Sequence, residues 1–214
     1  PEDVNGIEPT TYTSTNGYAG FYKKLGATTL RFGATADALD FDDVPSATGT
    51  INNDDRDRLE STAGARLSRE VGSGTQVFLQ GVHDRRDYDT AADDLGVDRD
   101  SDGYRAALGL NRRLGANLRA EGFVGYMRQD YEDAALEDVS GIDFGGRIDW
   151  QATPRTEVNA TLERTLEETT VFDSTTGTPA SSYIYTRAGV LATHRLRTDL
   201  TLRAHASVGR TDYQ

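Results

Sequence analysis

Hydrophobic and polar residues alternate at every second position over long stretches of the chain. Between Ile142 and Trp150, one set of positions reads Ile, Phe, Gly, Ile, Trp and the other reads Asp, Gly, Arg, Asp. Because successive side chains of a β-strand point to opposite faces, this period predicts strands with one apolar and one charged face. The same pattern occurs in residues 30–38, 59–67, 104–110, 116–129, 158–162, 184–192 and 200–208.

Two further segments predict strands with weaker patterns. Residues 11–23 are rich in Thr, and residues 77–82 carry apolar side chains on both faces. The chain then has about ten strands of roughly 9–13 residues, which is the length that spans a bilayer when a strand is tilted.

Turn signals divide these strands into a repeating unit. Short turns lie at Gly26, Gly72, Gly115, Pro154 and Thr198, at intervals of 39 to 46 residues. Between them lie longer polar stretches at residues 42–56, 89–102, 131–140 and 169–181. A strand, a short turn, a second strand and a long loop form a hairpin that repeats along the chain.

Three architectures could accommodate such hairpins. A β-propeller places about four strands in a period of this length, whereas this chain has two. A soluble sandwich or repeat adhesin would have to pack two sheets together, since no predicted helix covers the apolar faces. We favour an all-β, antiparallel, up-and-down transmembrane β-barrel, whose closure pairs every backbone group in lipid.

The composition agrees with a barrel and excludes other classes. Hydrophobic residues make up 36% of the chain and the mean hydropathy is −0.61, which is low for a soluble globule. No segment is long and apolar enough for a transmembrane helix, but barrel strands escape that test. The absence of Cys excludes a disulfide scaffold and thiol chemistry, and a net charge of −12 argues against nucleic acid as a partner.

The order of turns and loops predicts how much of the barrel this chain forms. In bacterial barrels, short turns face the periplasm and long loops face outward. The first strand therefore enters from outside, and the last strand runs outward again. We expect a single barrel domain over residues 1–214 that is incomplete at both ends and belongs to a barrel of twelve or more strands.

The charged face of the strands is the candidate functional surface. It could line a lumen that screens solutes by size and sign, or it could fill a narrow barrel with a ladder of ion pairs. Both interpretations stay open on the sequence. The predicted lumen-lining residues are Arg31, Asp37, Arg58, Glu60, Arg66, Arg105, Arg119, Glu121, Asp143, Arg147, Asp149, Glu157, Glu163, Arg187 and Arg203.

The acidic stretch "DRDSDG" resembles the start of a calcium loop. Asp98, Asp100 and Asp102 with Gly103 match the opening of an EF-hand, but its twelfth position is Gly109 instead of Glu. We therefore interpret the stretch as the tip of a hairpin, with weak Ca²⁺ binding by the three aspartates as the alternative. No other cofactor is predicted.

The histidines predict no enzyme. His83, His194 and His205 are far apart in the sequence, and their spacing indicates neither a metal site nor a nucleophile, base and acid arrangement. We predict no catalytic residues.

Part of the sequence resembles a known family. The stretches "GYRAALGLNRRLGANLRAEGFVGYMRQDY" and "DWQATPRTEV" are similar to outer-membrane β-barrel porins of Gram-negative bacteria, of the "β-barrel porin 2" type. The similarity covers most of residues 56–214. It implies an outer-membrane barrel of larger size, with a poorly defined activity that in some members is linked to surface polysaccharide. It supplies no functional residues.

These observations predict a porin-like channel for passive or guided passage of small polar solutes through the outer membrane. The alternatives are a non-conducting structural or interaction barrel of the envelope, including one linked to polysaccharide export, and a soluble extracellular β-rich adhesin. We expect outer-membrane lipid and lipopolysaccharide as partners. A homo-oligomer and an envelope protein are further candidates.

Overall fold

Ten long antiparallel strands form one sheet in a computed structural model that describes residues 7–47, 49–94, 96–168, 172–173, 178–179 and 182–213. Among the described residues, no helix is long and apolar enough to cross a membrane. In chain order the strands are β1 (Tyr12–Leu25), β2 (Thr28–Phe41), β3 (Val44–Ser46), β4 (Gly49–Ile51), β5 (Arg58–Gly72), β6 (Thr75–Tyr88), β7 (Ser101–Leu114), β8 (Leu118–Tyr131), β9 (Val139–Thr153), β10 (Thr156–Glu168), β11 (Phe172–Asp173), β12 (Thr178–Pro179), β13 (Ser182–Arg195) and β14 (Thr201–Tyr213).

The long strands follow one another in the sheet as they do in the chain. Their order is β1-β2-β5-β6-β7-β8-β9-β10-β13-β14, and the short pairs β3-β4 and β11-β12 lie within long loops. The predicted all-β architecture with ten antiparallel strands is confirmed. In the described residues β1 and β14 do not pair, so the sheet is not closed here. The total strand number and the incomplete domain stay predictions.

The strands are longer than the sequence pattern indicates. They have 13 to 15 residues instead of 9–13. In β6, for example, the backbone ladder continues to Tyr88 through a run of charged residues, beyond the last apolar position. Hydrophobic alternation marks the part of a strand next to the apolar surface, whereas backbone pairing continues past it.

The sheet is rolled, as a side-chain contact across several strands shows. Arg66 of β5 and Glu121 of β8 form an ion pair at 2.7 Å, although β6 and β7 lie between their strands. Neighbouring strands are about 4.8 Å apart, so the two backbones would be about 14 Å apart in a flat sheet. Both side chains must therefore reach across a concave face.

The apolar face is convex and exposed. Val124 is 59% exposed and Ile142 is 61% exposed, and Ile148 is exposed as well. On the concave face, Phe78 and Asp143 are only 1% and 3% exposed. A contiguous apolar surface of this extent is typical of a membrane or protein interface. The sheet therefore has the apolar face and the charged face that the sequence pattern predicts.

One part of the sheet departs from regular pairing. β10 pairs with β9 only as far as Leu162, whereas it pairs with β13 along its whole length. Beyond that point, Leu166 and Ile184 are buried against Met127 and Val139 of β8 and β9. The alternation of β10 and β13 would place Leu166 and Ile184 on the convex face. Their burial shows that this end of β10 and β13 lies over the concave side.

Candidate functional site

The fifteen charged residues predicted to line a lumen all have the parity of the concave face, which means that they occupy the alternate strand positions belonging to that face. The pairing register establishes this across neighbouring strands. Arg66 lies opposite Arg31 on one side and Gln80 on the other, and Glu121 lies opposite Arg147. The residues extend over most of the sheet and do not form one cluster. That they line a water-filled lumen stays a prediction.

A layer of four side chains crosses the middle of the concave face. Arg66 Nη1 donates to Glu121 Oε1 at 2.7 Å, and Asn111 Nδ2 donates to Glu121 Oε2 at 2.7 Å. The Arg66 guanidinium also lies 3.4 Å from the centroid of the Phe78 ring. Arg66, Phe78, Asn111 and Glu121 are called the central layer below. It joins four consecutive strands, β5 to β8.

Phe78 and Asn111 are the members of this layer that sequence reasoning missed, since Asn111 lies just beyond the predicted strand 104–110. The alternation in residues 77–82 is ambiguous because Phe78 and Val82 are apolar on the face that also carries Gln80. The Phe78 ring lies over Gly109 of β7, where a Cβ atom would collide with it, and Phe123 lies over Gly145 in the same way. Glycines inside predicted strands are the signal that could have found both rings, since such glycines often mark close packing from a neighbouring strand.

A cavity lies on the loop side of the central layer. Its volume is about 470 Å³, and β5, β6, β7, β8, β9 and β10 all contribute to its wall. Asp143 is buried there, and the guanidinium groups of Arg105 and Arg164 interact with it electrostatically, without an ion pair of 4 Å or less in the described structure. Asp84 Oδ2, also in the wall, is buried without a hydrogen-bond donor among the described residues.

Arg164 is a second cavity residue that sequence reasoning missed. Its position in β10 has the parity of the apolar face, because Leu162 two residues earlier lies opposite Gly146 and Ala188 on that face. Arg164 nevertheless lines the cavity beside Glu163. The separation of β10 from β9 explains this, and no local pattern in the sequence reports it.

A second cavity lies on the turn side of the central layer. Its volume is about 690 Å³, and Arg31, Gln76 and Arg119 are among the residues in its wall. On β6, Phe78 lies between Gln76 of the turn-side cavity and Gln80 of the loop-side cavity. The central layer therefore separates the two cavities along the axis of the rolled sheet.

The ion pairing of the concave face is partial. Three pairs join members of the predicted set, and they are Arg58 with Glu60, Arg66 with Glu121, and Arg147 with Asp149, at 2.7 to 2.9 Å. Among the described residues, the other nine members form no ion pair of 4 Å or less. A continuous ladder of ion pairs is thus not present in the part of the chain that the structure describes.

The three aspartates of "DRDSDG" have separate partners. Asp98 Oδ1 accepts the N–H of Asp100, and Asp100 Oδ1 accepts the N–H of Tyr88 at 2.7 Å. Asp102 lies 3.6 Å from His83 and has the parity of the convex face. β7 begins at Ser101, so the last three residues of the stretch belong to a strand, which corrects the hairpin-tip interpretation.

Within the described ranges, no group of three or more His, Cys, Asp or Glu residues could hold a metal ion. Ca²⁺ binding by the three aspartates stays a prediction.

Aspartates instead close the loop ends of the sheet. In each case the aspartate is the last residue of a long loop and directly precedes the next long strand. Its carboxylate accepts a hydrogen bond from the backbone N–H of the last residue of the strand before the loop. Burial raises the pKa of Asp57 and of Asp100, and the hydrogen bonds that they accept act in the opposite direction. Three such pairs occur in the described part of the chain: Asp57 with Phe41 at 2.6 Å, Asp100 with Tyr88 at 2.7 Å, and Asp138 with Tyr131 at 3.1 Å.

Comparison with protein families gives a match that covers the chain. No curated protein matches the chain. A family model described as "Putative beta-barrel porin 2" matches residues 1–214, the whole sequence. Its description agrees with the rolled antiparallel sheet and with the exposed apolar convex face. The chain therefore belongs to the "Putative beta-barrel porin 2" family of membrane β-barrels.

Proposed function

We propose that this protein is a porin-like channel of the outer membrane, without enzymatic activity, through which small polar solutes pass. One observation carries the proposal: two cavities with charged walls lie on the concave face, at either side of the central layer. The exposed apolar convex face supports a location in lipid and argues against a soluble adhesin.

The incomplete ion pairing favours a lumen through which solutes pass and argues against an interior filled by ion pairs. Nine of the fifteen predicted lumen residues form no ion pair among the described residues, so no direct partner of opposite charge neutralises them. Rows of charged side chains discriminate among solutes by sign. A continuous ladder would neutralise the wall and occupy the space.

The two parts of the wall have different tasks in this proposal. Within the central layer, Arg66 and Glu121 neutralise each other, so the layer selects solutes mainly by size. In the loop-side cavity, the carboxylate of Asp143 and the guanidinium groups of Arg105 and Arg164 are farther apart. Their separate charges select solutes by sign.

Single-channel recording in planar bilayers tests this function. We expect discrete openings from the folded protein and a higher conductance from Phe78→Ala, because that substitution removes a ring from the central layer. Val124→Ala is the matched control, since it shortens an exposed side chain on the convex face. Folded protein that never opens would contradict the proposal and favour the non-conducting envelope barrel.

A further inference from the structure

Charge is distributed very unevenly between the two ends of the sheet. The long-loop segments 40–57, 85–102 and 130–139 hold eighteen Asp and Glu residues against four Lys and Arg residues. The short-turn segments 23–28, 69–75, 112–118, 153–156 and 195–200 hold eight Lys and Arg residues against two acids, Glu70 and Asp199. The net charge of −12 therefore arises at the loop end, whereas the turn end is positive.

The cations of the two ends also differ in pairing. All eight Lys and Arg residues of the turn segments are exposed, and none forms an ion pair of 4 Å or less among the described residues. At the loop end, each arginine on the convex face pairs with the aspartate two residues later. These pairs are Arg85 with Asp87, Arg128 with Asp130, and Arg210 with Asp212.

Five of the turn-end cations lie where the apolar convex face ends. Lys23, Arg69 and Arg112 have the parity of that face, since they lie opposite Leu30, Val77 and Ala120 in the neighbouring strands. The other two lie in the short turns, Arg155 between β9 and β10 and Arg197 between β13 and β14. The basic collar comprises Lys23, Arg69, Arg112, Arg155 and Arg197.

We propose that the basic collar binds the phosphate groups of anionic phospholipids in the leaflet that faces the short turns. A cation at the edge of a lipid-facing surface lies at the depth of the headgroups. Guanidinium groups match phosphate oxygens with two parallel hydrogen bonds, and four of the five collar residues are arginines. The acidic loop end repels phosphate, so the same lipid is not attracted there.

The lone tryptophan is placed to report this binding. Trp150 is 44% exposed on the convex face, and Arg155 follows it in the turn between β9 and β10. Folded protein is placed in phosphatidylcholine vesicles that contain a small, equal fraction of brominated phosphatidylglycerol or brominated phosphatidylcholine. Bromine quenches tryptophan fluorescence on contact, so the difference in quenching measures the preference for the anionic lipid.

The expected result is a preference of about fivefold or more for phosphatidylglycerol, from the usual attraction between one surface cation and anionic lipid. The preference should fall in the double variant Arg112→Gln and Arg155→Gln and be retained in Arg112→Lys and Arg155→Lys. The matched control, Arg128→Gln and Arg210→Gln, should retain it as well. High salt should weaken it, because these charges are exposed.

Three outcomes would overturn the proposal. They are equal quenching by the two brominated lipids in the unaltered protein, a preference that persists in the folded Gln collar variant, and a preference lost in the loop-end control. Unlabelled lipopolysaccharide added to the vesicles identifies the source of phosphate. If it abolishes the quenching difference while added phosphatidylglycerol does not, the collar does not select phospholipid. None of these readouts depends on conduction through the barrel.

Discussion

The Nη1 atom of Arg66 lies 2.7 Å from the Oε1 atom of Glu121, although the two residues are on β5 and β8. Their side chains are 21% and 29% exposed, so water screens the pair only in part. The contact joins strands that are not neighbours and places Arg66 over Phe78. It therefore couples the curvature of the sheet to the central layer of the concave face.

We expect this pair to contribute to folding. A double-mutant cycle with Arg66→Gln and Glu121→Gln, measured by urea unfolding in lipid vesicles, should give a coupling of about 1–2 kcal/mol. The matched cycle with Arg85→Gln and Asp87→Asn, on the outer surface of the loop end, should give less than about 1 kcal/mol because exposed pairs contribute little. Equal couplings would show that the concave side is as well solvated as the outer surface.

Gly109 should be intolerant of a side chain. In Gly109→Ala, the added Cβ collides with the ring of Phe78, so we expect a loss of about 1–3 kcal/mol in the free energy of unfolding. A Cβ atom at Gly122 of β8 would lie 3.8 Å from its nearest neighbour, the carbonyl oxygen of Gly145, so Gly122→Ala should be nearly neutral. A tolerated alanine at Gly109 would contradict the position of the Phe78 ring.

Asp143 should control which ions pass. In Asp143→Asn the loop-side cavity keeps Arg105 and Arg164 but loses the carboxylate that faces them, so selectivity should shift toward anions. The reversal potential in a KCl gradient measures this shift. Arg105→Gln should shift it in the opposite direction. Asp102→Asn makes the same change on the convex side and should leave the reversal potential unchanged. A similar shift in Asp102→Asn would show that surface charge alone sets selectivity.

The pKa values of Asp100 and Asp133, two aspartates at the loop end, should differ from that of an ordinary Asp in opposite directions. Burial raises the pKa of Asp100, whereas the N–H groups of Ala135 and Asp98 lower the pKa of Asp133. The folded state therefore favours protonated Asp100, and this stabilisation is lost as the pH rises through its folded pKa. The stabilisation from ionised Asp133 is lost as the pH falls through its own lowered pKa. Carboxyl NMR titration, with assignment by Asp100→Asn and Asp133→Asn, should give the higher pKa for Asp100, and the reverse order would contradict these environments.

The sequence was sufficient to predict the strands and their two faces. Alternation at period two is local, and a one-residue slip of register would move every side chain to the other face. The concave parity of Arg66, Glu121 and Asp143 could therefore be predicted without knowledge of their partners. The resemblance to porins, based on strand and turn patterns, agreed with the family that the whole chain matches.

The features that sequence reasoning missed depend on contacts between strands. Phe78 packs in the interior only because Gly109 lies opposite it, and Arg164 reaches the cavity only because β10 leaves β9. The acidic stretch is interpreted from the sequence as a hairpin tip, whereas β7 already begins at Ser101 and Asp100 accepts the last N–H of β6. That role depends on how the end of one strand lies beside the start of the next, which no single segment reveals.

The most direct test of the central claim measures whether lipid or water surrounds the side chains on each face of the sheet. The chain has no native Cys, so single spin labels can be attached at Val124→Cys and Ile142→Cys on the convex face and at Thr62→Cys and Gln80→Cys on the concave face. In vesicles, we expect molecular oxygen to reach the first two labels and a water-soluble nickel complex to reach the last two. Nickel access at Val124 and Ile142, with oxygen access at Thr62 and Gln80, would contradict a lipid-facing apolar surface and a wet, charged interior.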